Sequence, residues 1–421
     1  MKVIILGAGA VGVATAYWLH QRGHGVTVIE RREAAALETS FGNGAVIHAS
    51  EVEPWAQPGM PWKVLKWLGR EDAPLLLRLR ALPHMWRWGL AFARNCTQGR
   101  FAANSVANLR LALLSLECLQ AIRSQTGIEY DCATRGVLKI YRDQAAFDAA
   151  CRRNDMLAQH GLTYRPATPA ECTSLEPALA ATAASLVGGL FFEKDEVGDC
   201  HKFTQGLARH LAGQGVEFRY GEAITSLVRE AQRVTQVATP SGPHAADAVV
   251  VALGSFSPLL LRTLGLRLPI YPVKGVSVTL PGRSWPARVR MPVIDDSRLF
   301  GIIPIGERVR VAGSAEIDRY DATPSPRRAQ AILDNVMRTF PDFAAAYRPE
   351  AAQVWAGLRP VTPPGVAYMG RTPLSNLFVN AGHGHLGWTM ACGAGRVVAD
   401  IVSGEPPPID LSGFPRVNGS P

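Results

Sequence analysis

Residues 2–12 read Lys2-Val3-Ile4-Ile5-Leu6-Gly7-Ala8-Gly9-Ala10-Val11-Gly12. Val3 to Leu6 is an apolar run of the kind that forms a buried parallel strand. Gly7, Gly9 and Gly12 complete G-x-G-x-x-G directly after it. Val13 to Arg22 has helical spacing, with Ala14, Ala16 and Leu19 on a sheet-facing side. Val26 to Ile29 is a second apolar strand, and it ends in Glu30. Gly7 allows the tight turn, Gly9 lets the backbone approach a pyrophosphate, and Gly12 lets helix and strand pack closely. The helix N-terminus then faces the phosphates. Glu30 stands about 20 residues on, where a carboxylate meets a ribose diol. This context makes the motif a dinucleotide site. Lys2 before an apolar run also fits a signal peptide, but the glycines and the polar helix end at 17–22 argue against one. The motif does not separate NAD from FAD, and Arg31 and Arg32 leave room for NADP.

At 421 residues the chain is expected to hold two domains. A hydrophobic fraction of 47% and a charged fraction of 19% are those of a globular enzyme. No apolar run reaches the length of a membrane span. The net charge of +9 comes mainly from arginine, since only seven of the 44 basic residues are lysines. It fits either a coding bias or a cationic surface that attracts anionic lipid or acidic ligands. Cys96, Cys118, Cys132, Cys151, Cys172, Cys200 and Cys392 are odd in number and free of C-x-x-C spacing. They predict reduced thiols in the cytoplasm, with no disulfide framework and no metal site.

Arg31 to Glu38 reads as a short helix, followed by a small-residue loop, Thr39 to Ala45. Between Glu53 and Cys96 lie Trp55, Trp62, Trp67, Trp86 and Trp88, interleaved with Lys63, Lys66, Arg70, Arg78, Arg80, Arg87 and Arg94. Tryptophan with basic residues on amphipathic helices is the composition of a membrane-interface element; a partner-docking face or ordinary packing are the alternatives. No nucleic-acid-binding fold is signalled. Ser105 to Thr126 reads as a long helix. Leu186 to Phe192 and Ala248 to Leu253 read as strands, the latter ending in Gly254 against the cofactor. Leu268 to Glu316 is β-rich. Leu377 to Asn380 is a last apolar strand, leading through 381–389 into a closing helix; the tail from Gly404 to Pro421 is Pro/Gly-rich. The expected fold is α/β. A Rossmann-like domain is assembled from residues 1–55, 185–268 and 356–421, and an α+β substrate domain on an antiparallel sheet comes from 56–184 and 269–355.

The stretches "GAGAVGVATAYWL", "ALETSFGNGAVIHASEVEPWAQPGMPWKVLKWL", "GDCHKFTQGLARHLAGQGVEF", "YPVKGVSVTL", "GLRPVTPPG" and "NAGHGHLGWTMACGAG" resemble the D-amino-acid oxidase superfamily of FAD enzymes, and within it the bacterial D-amino-acid dehydrogenases. They span nearly the whole chain in the family's order. The resemblance implies non-covalent FAD. Gly7, Gly9, Ala10, Val11, Gly12, Glu30 and Arg31 would meet adenosine and pyrophosphate. Ser40, Asn43, Gly44, Ala45 and Val46 would follow the flavin, and Ala252 and Gly254 would touch the ribityl or adenine end. Gly384, Leu386, Gly387, Trp388 and Thr389 would place a positive helix end near flavin O2.

It also implies hydride transfer from a D-amino acid's Cα to flavin N5, with hydrolysis to the 2-oxo acid and ammonia. Electrons would leave to a quinone or another non-oxygen carrier. Arg359 matches the family's carboxylate anchor, a role its planar fork suits. Tyr271, Lys274 and His48 are further candidate catalytic residues, and His383 and His385 fall in the turn by the flavin. The family often has Asp where Pro364 stands, and "GNGAVIHAS" is bulkier than its usual form. A D-proline, hydroxyproline or sarcosine-like secondary amine is therefore an alternative substrate, and a flavin-bearing docking subunit of an electron-transfer complex an alternative function. The implied location is cytoplasmic, peripheral on the inner membrane.

Overall fold

The computed structural model describes residues 1–70, 73, 75–285 and 287–417 of the chain. Strand Lys2–Leu6 lies inside a six-stranded sheet in the order 368–371, 377–381, 248–251, 2–6, 25–29, 217–219. Its neighbours run parallel except for the edge pair Tyr368–Arg371 and Leu377–Ala381. Side chains alternate along a strand, so Val3 and Ile5 enter one core while Ile4 and Leu6 enter another. Helices Ala10–Gln21, Cys200–Gly213 and Gly387–Ser403 cover the first. The meander of strands Ser226–Glu230, Arg233–Thr239 and Gly242–Ala245 and the short helix Ser257–Arg262 cover the second. The closing helix lies against the first one. A Cβ at Gly395 would sit 2.7 Å from the Ala14 carbonyl carbon, and Trp18 Nε1 donates to Cys392 O at 3.0 Å.

The second sheet has nine strands. Eight follow in the order 353–361, 271–281, 308–317, 300–305, 293–295, 137–141, 188–192, 165–167, and Leu75–Leu77 runs beside 308–317. It is antiparallel except at 293–295 with 137–141 and at 75–77 with 308–317. Helix Pro326–Thr339 packs Ile332, Leu333 and Val336 on one face. The α/β expectation, one parallel and one antiparallel sheet, is the fold found.

Several local expectations are corrected. Strand Gly188–Phe192, read with the dinucleotide segments, pairs with Val137–Tyr141 in the second sheet. Gln353–Val361 is one strand of that sheet, so the boundary at 356 cuts through it. Residues 31–38 form no helix; Ala36 takes φ +62° and its N–H bonds Ala8 O at 3.0 Å, closing a turn under the glycine motif. The long helix starts earlier, at Gln98, and ends at Thr126. It is the one helix among the described residues long and apolar enough to cross a membrane, but 67% of its most apolar window is buried in the protein. The tryptophan segment forms helices Met60–Trp67 and Leu82–Asn95. Its Glu71, Asp72 and Pro74 lie outside the described residues, as do 418–421 of the tail. Trp62 and Trp86 point outward, at 72% and 58% exposure, but Trp88 is buried and donates to Val361 O at 3.1 Å. All seven cysteines, which fall within the described residues, are free thiols.

Candidate active site

A cavity of about 650 Å³ lies between the two sheets. The six-stranded sheet contributes the loops at the carboxyl ends of its strands, the usual ligand crevice of such sheets. The nine-stranded sheet contributes Gly275 to Ser277, Ala312, Gly313, Trp355, Gly357 and Arg359.

The glycine motif is built for close approach. A Cβ on Gly12 would fall 2.0 Å from Gly7 O, so the first strand and first helix cannot accept one there. Gly7, at φ +103°, needs the left-handed region. Glu30 is held by backbone N–H groups, from Ala8 at 2.8 Å and Arg32 at 2.9 Å. Arg31 donates twice to Glu38 Oε1, at 2.9 and 2.7 Å, and its guanidinium lies 4.1 Å from the Phe256 ring centre. Its charge is thus committed to a flat wall beside Glu30, which favours a free ribose diol over a 2′-phosphate. The 40–45 loop is tied to the second sheet. Ser277 Oγ donates to Gly42 O at 2.6 Å and Arg310 Nη1 to Asn43 O at 3.0 Å. Asn43 Oδ1 accepts from Ala45 N–H at 2.9 Å, and helix Gly387–Ser403 points its N-terminus at the cavity through Gly387 and Trp388. N–H groups that can donate to phosphates, a carboxylate for a ribose, a long apolar wall and a positive helix end together fit an extended dinucleotide such as FAD.

At the other side of the cavity stands Arg359. Strand register sets it opposite Val273, with Gly275 opposite Gly357. A Cβ on Gly275 would lie 2.1 Å from Arg359 Nη1, so the guanidinium fills the space that this glycine vacates. Among the described residues no carboxylate pairs with it. Nη1 donates to Ser314 O at 3.2 Å, and Trp55 lies 5.8 Å away as a cation–π partner. Burial alone pulls its pKa down to about 10. Trp55 stacks on His385, centroids 5.4 Å apart, and His385 Nε2 meets Glu51 O at 3.1 Å. Burial pushes His48, His383 and His385 each down to about 4, so all three are neutral at pH 7. Glu51 lines the cavity with its carboxylate 2.6 Å from Lys139 Nζ. Burial would raise that carboxyl, but the Lys139 ammonium outweighs it and holds it low.

Of the expected residues, Gly7, Gly9, Ala10, Val11, Glu30, Arg31, Ser40, Asn43, Gly44, Ala45, Val46, His48, Ala252, Gly254, Arg359, Gly384, Gly387 and Trp388 line this one cavity. Gly12 and Leu386 sit behind the wall, and Thr389 Oγ1 accepts from His48 N–H at 3.3 Å. Tyr271 and Lys274 are corrections. Tyr271 is not among the residues lining the cavity and packs with Trp88, Val273 and Ile317. Lys274 lies on the opposite face of its strand from Gly275, 3.5 Å from Glu316 and 3.4 Å from Asp321. The sequence reading missed Glu51, Lys139, Gly275 and the inward role of Trp55. The glycine beside Lys274 in "YPVKG" was the available signal; Glu51 and Lys139 had none.

Residues 2–401 match the family described as FAD dependent oxidoreductase, and the chain belongs to that family. It is 51% identical to a D-amino acid dehydrogenase of Paramagnetospirillum magneticum over 98% of each chain. It is 46% identical to one of Allorhizobium ampelinum, over 97% of this chain and 96% of that protein. Glycine oxidase from Geobacillus kaustophilus superposes with a TM-score of 0.78 at 22% identity over 98% of both chains. L-proline dehydrogenase from P. horikoshii gives 0.77 at 19%, over 97% of this chain and 95% of the other. These two show a shared fold.

Proposed function

We propose that the chain oxidises D-amino acids, giving imines that water hydrolyses to 2-oxo acids and ammonia. The observation that carries this is Arg359, a cavity guanidinium with no carboxylate partner among the described residues. A partly buried arginine without a counter-ion is costly unless a ligand supplies one, and its fork matches a substrate carboxylate. The D-configuration rests on the names of the relatives. FAD, when bound along the wall from Gly9 to Trp388, supplies the two-electron oxidising power.

The protein's part is to bind, orient and exclude water. Arg359 holds the carboxylate, and Trp55 and Trp355 shield it. His48 lines the cavity, and its neutral imidazole can accept a hydrogen bond from the substrate amine. Neutral imidazoles at 48 and 385 add no positive charge against the one that builds on the substrate as its Cα gives up hydride. On this reading the six-stranded sheet forms the FAD domain and the nine-stranded sheet the substrate domain. Electrons leave to a quinone or another non-oxygen acceptor, and the chain sits peripherally on the cytoplasmic face of the inner membrane. Exposed Trp62, Leu65 and Trp86, among Lys63, Lys66 and Arg87, support that contact.

The test is anaerobic loss of visible flavin absorbance on separate additions of D-alanine, D-proline, cis-4-hydroxy-D-proline, sarcosine and L-alanine. Bleaching by D-forms only is expected, and its speed ranks primary against cyclic amines. Arg359→Ala should lower kcat/KM on the best substrate about a hundredfold, about 3 kcal/mol. Unchanged turnover in that variant would remove Arg359 from the site.

A further inference from the structure

We propose that Glu51, held by Lys139 in the cavity wall, gives the substrate site a second, negative pole beside the positive pole of Arg359, and so makes it reject amino acids with acidic side chains. This deepens the D-amino-acid reading and rests on it.

The carboxylate is fixed from three directions. Lys139 Nζ lies 2.6 Å from Glu51 Oε1 and 3.3 Å from Asp296 Oδ1. The backbone oxygen of Glu51 meets His385 Nε2 at 3.1 Å. The turn before it is pinned by Asp195, which accepts from Ala49 N–H at 3.0 Å and from Ser50 Oγ–H. The Lys139 contact is made to one carboxylate oxygen, and Glu51 still lines the cavity. Among the charged groups facing it there, the imidazoles of His48 and His385 are neutral at pH 7. Away from the nucleotide wall of Glu30, Arg31 and Glu38, the charged side chains lining the cavity are Arg359 and Glu51, a pair complementary to a net-neutral zwitterion. A substrate with two carboxylates can satisfy Arg359 with one, and its other then meets Glu51 in the same cavity, where like charges repel. A side-chain hydroxyl or amine finds an acceptor there instead.

The experiment compares holoenzyme of wild type, Glu51→Gln, and the double variant Glu51→Gln/Lys139→Gln, which removes the ion pair without stranding the lysine. Flavin reduction is measured with D-alanine, cis-4-hydroxy-D-proline and D-glutamate. Binding of pyruvate and 2-oxoglutarate is measured separately by quenching of tryptophan emission. Both variants should gain at least about tenfold for D-glutamate over D-alanine in kcat/KM, and for 2-oxoglutarate over pyruvate in Kd. Preference for hydroxyproline over D-alanine should fall. If both ratios stay at their wild-type values in a folded, flavin-loaded variant, the inference is overturned. If no D-amino acid reduces the wild-type flavin, the D-amino-acid reading fails, while the 2-oxo-acid ratio still decides the role of Glu51.

Discussion

Gly275 is as much a part of the proposed carboxylate anchor as Arg359, although it contributes no atom to it. The guanidinium occupies the place of its absent side chain, with Nη1 2.1 Å from the ideal Cβ position. Gly275→Ala must therefore push the arginine out of its seat while leaving the nucleotide wall alone. The expected outcome is a rise of at least about tenfold in KM for the amino acid, with flavin content unchanged, because a displacement of about an ångström is costly in an orienting site. Steady-state kinetics beside a flavin-to-protein absorbance ratio checks it; an unchanged KM would mean that Arg359 works equally well from another rotamer. The same register argument shows why Lys274 is not in the site. Adjacent residues of a strand face opposite ways, so a strand that offers Gly275 to the cavity turns Lys274 to Glu316 and Asp321.

Elements differ in how much of their role their own sequence carries. The first strand, turn and helix were legible because a phosphate-binding turn needs glycines at fixed local offsets, and Arg359 was legible through its neighbours in "GLRP". Glu51 and Lys139 were not, because strand Val137–Tyr141 reaches the loop at 51 only through the second sheet. A pairing across 88 positions leaves no periodic trace. The tryptophan segment was legible in composition and not in direction. Helix Met60–Trp67 buries none of its residues, whereas Trp88 is buried against the second sheet and Trp55 turns to Arg359. The proposed membrane contact therefore reduces to Trp62 and Trp86 with the apolar residues beside them. Trp62→Ser/Trp86→Ser should abolish sedimentation with anionic liposomes without changing flavin reduction by substrate. Equal sedimentation of wild type and variant would dismiss the helices as an anchor.

At the scale of the whole molecule, the buried titratable groups set a pH profile. Burial lowers His48, His383 and His385 to about 4. In the unfolded chain each returns to about 6.5, so that state binds more protons between those limits and stability rises with pH across them. Asp195 opposes this: burial raises its pKa to about 7 against an unfolded value near 3.9, and folding holds its proton. Burial also raises Glu176 and Asp400 and lowers His24; the imidazoles titrate within this range and carry the slope, so the urea midpoint of the holoenzyme should climb from pH 4.5 to 6.5, and a flat or falling midpoint would contradict these burial effects. The close seating of helix Gly387–Ser403 on helix Ala10–Gln21 bears on how the protein is made. The first βαβ unit leaves the ribosome early, but strand 2–6 has its neighbour 248–251, and that strand its neighbour 377–381, only much later. The nascent chain must carry an uncovered apolar hairpin of strand and helix through most of synthesis. Chaperone cover during translation and flavin capture only after release are what this connectivity demands.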